Sequence, residues 1–430
     1  MSLDKKNPIQ AFIIIFFRGV ATLTSVGVNV IIARLLGPSG SGNYFIFTSW
    51  QRLVEGLFSG GHYQYTTRKI ALSTNSETSD ENKNFILNIV IYVLLVTTFC
   101  LLIIWIVSNL YNYIIDVSFQ KWTIVYGALI AGSFFAVVKI FSSAIKGLKY
   151  PKFSIALEFN IFPIFLLSLL LFYYLTSYEL TLYRLIITYC ILAILASVIG
   201  LLVWSVLEKV RISWIRKIRL VRKDEILNTS IYYFWTITII RVISLNLPFY
   251  LLPLLVTSED IGLFGIAQRL VAISSTILVA LSSLFNPSFA QDFKWKDFHN
   301  LKRDLKLSQI YSIIAYLPFL VIFIFFSDRL LGFFGSEFVA ATPLLWIMAF
   351  GQMINSSTGL SGHLLNMIEK ENTARKIWWW TLVITFILII VLGNWYYIYG
   401  VAAAFALGNV IRNILFFTFA RSYINTFCVD

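Results

Sequence analysis

Charge is scarce in this chain. Only 13% of its 430 residues are Asp, Glu, Lys or Arg, about half the share of a soluble domain, which excludes a water-bathed globule. Cysteine and histidine are scarcer still. Cys100, Cys190 and Cys428 are far apart, as are His62, His299 and His363, so no disulfide framework and no metal site is expected. Acidic groups are rarest where the chain is most apolar. No cleavable leader is expected, because Lys5 and Lys6 precede an apolar run longer than a signal core, with no small-residue cleavage pattern before Arg18.

What fills the space is hydrocarbon: 58% of residues are hydrophobic and mean hydropathy is +0.79. Apolar runs of about 20 residues each suit the thickness of a bilayer. Twelve are expected, at 10–36, 43–65, 85–108, 120–145, 153–176 and 182–207, then 228–256, 262–290, 309–327, 340–366, 377–398 and 401–424. The fold class is therefore an all-α polytopic membrane protein, with a six-helix lobe over 1–207, a connector over 208–227 and a second six-helix lobe over 228–430.

The excess of 34 Lys and Arg over 21 Asp and Glu would suit nucleic acid, but its placement argues against that partner. Lys5, Lys6, Arg68, Lys69, Lys83, Lys146, Lys149, Lys152, seven residues from Lys209 to Lys223, Lys294, Lys296, Lys302, Arg303, Lys306, Lys370, Arg375, Lys376 and Arg421 fall on one side of the alternating loops. The other side holds Lys121, Arg184 and Arg329. Basic loops mark the cytoplasmic face, which puts both termini and the connector there. In the connector, Trp214, Ile215, Ile218 and Val221 share one helical face, with Arg216, Lys217, Arg219 and Arg222 around the rest. An interfacial helix on anionic lipid and a solvated linker both fit that pattern.

Outer loops, the longest at 109–119 and 328–339, are too short for a folded domain. With no Asp-x-Asp pair, phosphate loop or nucleophile elbow in any loop, glycosyltransferase and polymerase chemistry is disfavoured and no enzyme is expected. The two halves carry signs of an internal repeat. Leu35-Leu36-Gly37-Pro38-Ser39-Gly40-Ser41-Gly42 has a counterpart at Leu254-Leu255-Val256-Thr257-Ser258-Glu259-Asp260-Ile261-Gly262, and Gln51-Arg52 has one, a turn out of register, at Gln268-Arg269. Six being even, the halves would be related by a pseudo-two-fold axis along the membrane normal. Trp378, Trp379 and Trp380 open the eleventh run, and Trp395, Tyr396, Tyr397 and Tyr399 close it, as an aromatic belt about 25 Å apart would.

The apolar runs hold seven basic residues (Arg18, Arg34, Arg52, Lys139, Arg241, Arg269, Arg412) against two acids, Glu55 and Glu158. A charge in a membrane is costly and faces protein or trapped water. Arg34, close to an end, can snorkel out. In the first run Arg18, Thr22, Ser25 and Asn29 fall on one helical face, and in the second Thr48, Arg52, Glu55 and Ser59 repeat the offsets. The surplus of positive charge calls for an anionic guest, and the planar guanidinium fork suits phosphate. Interhelical hydrogen bonding is the plainer use for any single Arg. Glu55 is expected to position Arg52, and Glu158 to pair with Lys139 or Lys152. A proton or sodium coupling role stands open beside the ion pair for each acid.

The Ala33-Arg34-Leu35-Leu36-Gly37-Pro38-x-Gly-x-Gly42-x-Tyr44 segment resembles the N-terminal signature of Wzx-type polysaccharide-repeat flippases, of the superfamily that includes MATE exporters and MurJ. Gly362-His363-Leu364-Leu365-Asn366-Met367-Ile368-Glu369-Lys370 is similar to the family's tenth-span exit, with Glu369 in place of the usual Gly. The resemblance implies two lobes around a cavity that opens to alternate sides. Its expected cargo is an undecaprenyl-pyrophosphate-linked oligosaccharide for O-antigen or capsule, moved across the bacterial cytoplasmic membrane, with polysaccharide polymerase and chain-length proteins as partners. It implies Arg18, Arg52 and Arg269 as pyrophosphate ligands. Arg241, Lys139 and Arg412 would support them, with Thr22, Ser25, Asn29, Thr48, Ser59 and Gln268 as polar lining. No cofactor beyond a coupling H+ or Na+ is expected. A cation-coupled MATE-type exporter is the alternative.

Overall fold

The computed structural model describes residues 8–72, 76–114, 119–176, 179–208 and 229–427, so the amphipathic connector and Cys428 lie outside the described residues. Everything regular among them is helical: α1 Pro8–Leu72, α2 Ser76–Ile114, α3 Phe119–Gly147, α4 Pro151–Leu175, α5 Leu182–Leu207, α6 Thr229–Leu251, α7 Ser258–Lys294, α8 Phe298–Phe325, α9 Ser327–Gly332, α10 Thr342–Ser357, α11 Ser361–Met367 and α12 Glu371–Phe427. Among the described residues, ten helical segments are long and apolar enough to cross a membrane. The chain is a multi-pass membrane protein.

Two of these helices are too long to be single crossings. At about 1.5 Å per residue, the 65 residues of α1 and the 57 of α12 would each reach far beyond a hydrocarbon core of about 30 Å. Both fold back. In α1 the break is Gly37, at φ 64° and ψ −174°, a backbone that costs glycine little because it has no Cβ. Gly27 approaches Leu167 and Arg34 hydrogen-bonds the Tyr174 hydroxyl at 3.5 Å, so the first arm runs alongside α4. Tyr63 then bonds Glu158 at 3.2 Å, near the opposite end of α4, so the second arm returns. In α12 the break is Tyr397, at φ 50°, unusual for a residue with a side chain. Its arms touch along their length: the Trp378 and Phe416 rings lie 6.2 Å apart, and Thr373 meets Tyr423 at 3.3 Å. The aromatic belt at Trp395, Tyr396 and Tyr397 is exposed at this turn.

The chain divides into two compact units, one of Met1–Leu36 with Ile46–Val242, the other of Gly37–Phe45 with Ile243–Asp430. In the first, α3 is the central helix. Ala131, Ser133, Ala136, Ala144 and Gly132 present almost no side-chain bulk, and Gly132 comes so close to α1 that a Cβ would sit 2.7 Å from the Gln51 carbonyl oxygen. Small residues let backbones approach where hydrocarbon solvent offers no hydrophobic drive. Around α3 the rings of Phe47, Phe135, Phe162 and Tyr189 pack together, edge to face except for the tilted Phe135–Tyr189 pair.

In the second unit, the α1 turn lies against the start of α7 through a reciprocal contact. A Cβ on Gly42 would collide with the Ser258 carbonyl oxygen, and one on Gly262 with the Pro38 carbonyl oxygen. Next along, the Gly265 backbone admits the Phe45 ring, which also packs at 6.2 Å from Phe249. A second cluster, Phe289, Leu301, Leu305, Leu364, Leu365 and Phe416, closes the far end of this unit.

Candidate functional site

The first unit gathers five of the charges that the sequence places in its apolar runs. Glu55, on the returning arm of α1, accepts from Lys139 of α3 at 2.6 Å on one oxygen and from the Gln51 amide at 2.9 Å on the other. Arg52 acts electrostatically on Lys139, and Arg18 on Tyr63. Glu158, on α4, accepts on a single oxygen from the Tyr63 hydroxyl at 3.2 Å and from the Ser142 hydroxyl at 3.1 Å. Ser142 also meets the Ser154 hydroxyl at 2.9 Å. The local winding explains how α4 delivers this carboxylate: Ala156–Asn160 forms one turn of π-helix around Glu158, and such insertions re-aim side chains at working sites.

Two expected pairings are corrected here. Glu55 does not hold Arg52; its two oxygens are taken by Gln51, one turn away on the same arm, and by Lys139, which arrives from the neighbouring helix. Glu158 forms no direct ion pair with Lys139 or Lys152: one of its oxygens accepts from Tyr63 and Ser142, Lys139 is bonded to Glu55, and Lys139 acts on Glu158 only at longer range. Lys139 is therefore not an open cation awaiting a guest, since Glu55 neutralises it.

The polar stripes of α1 turn largely inward on their own helix. Thr22 donates to the Arg18 carbonyl, Asn29 to the Ser25 carbonyl and Ser59 to the Glu55 carbonyl. Thr48 and Ser59 are buried, whereas Arg18, Ser25 and Arg52 are exposed. Arg241, on α6, is exposed as well. Gln51, Tyr63, Ser142 and Ser154 complete the cluster and were not singled out as site residues from sequence. Gln51 stands one turn before Glu55, a spacing that could have flagged it; the hydroxyls have no such signal.

The second unit treats its cations differently. Arg269 lies over the Phe45 ring, 3.6 Å from its centroid, while its neighbour Gln268 donates to the Leu245 carbonyl at 3.2 Å. Arg412 lies 4.1 Å above Trp378 and donates to the Asn409 side chain. Beside Arg412 is a hollow lined by Ser244, Thr381, Leu382, Thr385, Phe405 and Asn409. Its volume of ≈ 10 Å³ admits about one water, far less than a diphosphate. Among the described residues no group of three or more His, Cys, Asp or Glu is placed to hold a metal.

No family model matches this sequence. Over 176 residues it is 24% identical to the "Probable low-salt glycan biosynthesis flippase Agl15" of Haloferax volcanii; the aligned part spans 41% of this chain and only 37% of that protein. Among solved structures it is similar to an inward-facing multidrug resistance MATE family transporter of the MOP superfamily, with a TM-score of 0.71, 12% identity and 95% of both chains covered. It is also similar to the lipid II flippase MurJ in an inward closed conformation, with a TM-score of 0.73, 13% identity, and 95% of this chain and 87% of that one covered. The fold is the all-helical membrane fold shared by the MATE and MurJ transporters.

Proposed function

We propose that this chain is a flippase that carries a polyprenyl-pyrophosphate-linked oligosaccharide from the cytoplasmic to the outer leaflet of a bacterial cytoplasmic membrane, for surface polysaccharide assembly. The carrying observation is electrostatic. The two carboxylates in the apolar part of the first unit are engaged by Lys139, Gln51, Tyr63 and Ser142, so neither neutralises Arg18 or Arg52. A guanidinium without a carboxylate partner in a membrane segment calls for an anionic guest, and a diphosphate offers paired oxygens to its fork. The partial relatedness to a glycan biosynthesis flippase and the fold shared with MurJ support the same reading.

In this reading the broken helices α1 and α12 each supply two crossings, giving twelve in two six-helix lobes about an axis along the membrane normal, with the lobes over 1–207 and 228–430. Arg18, Arg52 and Arg269 hold the pyrophosphate, with Arg241 and Arg412 in support, and Lys139 acts through Glu55. Both termini face the cytoplasm, and the basic connector rests on anionic lipid. A polymerase and chain-length proteins take the product onward. A cation-coupled small-molecule exporter would want carboxylates facing its cargo, but α6, α7 between Asp260 and Asp292, and α12 beyond Glu371 carry none.

The test is surface polysaccharide in a strain whose only copy carries Arg52→Ala or Arg269→Ala. Polysaccharide is lost while the amount of folded protein in the membrane is unchanged, and Arg34→Ala retains most of it. Unchanged polysaccharide with Arg52→Ala would sink the proposal.

A further inference from the structure

The cations at the start of α8 stand on one side of the helix. Lys302, Arg303 and Lys306 are exposed, and steps of three and four residues place them on one face. Further along that face come Ile310, Ile313, Ile314, Leu317 and Val321, all exposed, while Leu301, Leu305, Ser308 and Tyr316 on the other side are buried. The turn before α8 adds Lys294, Trp295 and Lys296, again exposed, the tryptophan to 77%. Lys296 closes α7 in the left-handed region at φ 58°, where glycine is the ordinary choice.

The acids of this stretch are engaged elsewhere. Asp304 is buried and accepts from the Ser288 hydroxyl of α7. Asp297 caps α8, one oxygen accepting from the Asn300 backbone N–H at 3.0 Å and the other from the Asn300 amide at 2.6 Å. Arg303 reaches Asp304 at 3.6 Å, but among the described residues no carboxylate pairs with Lys294, Lys296, Lys302 or Lys306. Orientation in a membrane requires only that basic residues lie on one side of it. It does not require them to line up over an exposed apolar stripe, nor the neighbouring acids to be folded away.

We infer that this face of α8 is a binding site for one anionic phospholipid. Lys302 and Lys306, with the lysines of the preceding turn, meet its phosphate, and the stripe from Ile310 to Val321 takes an acyl chain. The dimensions fit. Those eleven residue steps rise roughly 16 Å, about half of a hydrocarbon core of ~30 Å, which is the depth of a single leaflet. Trp295 suits the headgroup level beside them, and each lysine near an anionic surface adds to the attraction. A soluble acidic partner would meet the lysines and leave the apolar stripe below them unused. The site lies wholly within the second unit and does not depend on which cargo the chain carries.

The experiment is native mass spectrometry of the purified full chain in detergent, titrated with phosphatidylglycerol or with phosphatidylcholine of the same acyl chains. The expected result is one phosphatidylglycerol retained in preference to phosphatidylcholine. Lys302→Gln with Lys306→Gln should weaken that binding about 25-fold, taking each lysine at its usual surface contribution, and Lys302→Arg with Lys306→Arg should keep it. Lys376→Gln with Arg421→Gln removes the same charge from exposed positions on α12 and should leave the binding unchanged. If the first double variant fails to fold, Lys302→Gln alone serves, with a loss of about fivefold. Equal retention of the two lipids, equal loss in the α8 and α12 variants, or glycerol phosphate held as tightly as the lipid overturns the inference. No cargo enters this measurement, so its failure leaves the polysaccharide test standing, and a failed polysaccharide test leaves the lipid site standing.

Discussion

Each of the two units holds cations among hydrocarbon, and each solves the problem its own way. The first spends carboxylates: Lys139 is matched by Glu55, and a second acid, Glu158, stands close by. The second spends aromatic faces: Arg269 over Phe45 and Arg412 over Trp378. A carboxylate cancels charge, whereas a ring face stabilises a cation without cancelling it.

The largest effect that would break this comparison is expected at the reciprocal backbone contact that carries Phe45 into the second unit. Gly262→Val has no room beside the Pro38 carbonyl and should cost about 3 kcal/mol or more, seen as loss of monodisperse protein in detergent. Next comes the ion pair. Lys139 and Glu55 are 33% and 14% exposed, so Lys139→Met, which strands the carboxylate, should cost about 2 kcal/mol, below the penalty for a fully buried pair. Adding Glu55→Gln should restore most of the melting temperature, and failure to restore it would mean that the lysine stem, not its charge, is what matters. On the aromatic side, Phe45→Leu and Trp378→Leu should each lose about 1 kcal/mol from the cation–π contact, measured by thermal unfolding. Arg34→Gln, at an exposed 3.5 Å contact with Tyr174, should change stability by less than about 0.5 kcal/mol.

Much of the fold was legible because a bilayer demands long apolar runs and leaves little else to choose. The run boundary at 36/43 brackets the break at Gly37, whereas the break at Tyr397 falls one residue inside the run expected to end at 398. The first is announced by a Gly-Pro turn. The second, at a tyrosine, carries no turn residue of its own and follows from span length and the flanking aromatic belt. The site was legible in its cast but not in its pairings. Arg18, Arg52, Glu55, Lys139 and Glu158 stand out because charge is rare in such runs. That Glu55 chooses Lys139, distant in the chain, over Arg52, three residues away, depends on how closely α3 can approach α1, and that is set by small residues such as Gly132. Tyr63 and Ser142 were missed because hydroxyls are ordinary in membrane helices, and only the π-turn of α4 brings a carboxylate between them.

Composition and periodicity alone decided that this is a membrane chain, where its helices run and which side chains carry charge into the hydrocarbon, because transfer free energy acts residue by residue. Tertiary structure decided which of those charges cancel one another and which remain. Electrostatic compensation depends on distances between helices, and glycine contacts, a π-turn and two sharp breaks set those distances over separations that local patterns do not encode.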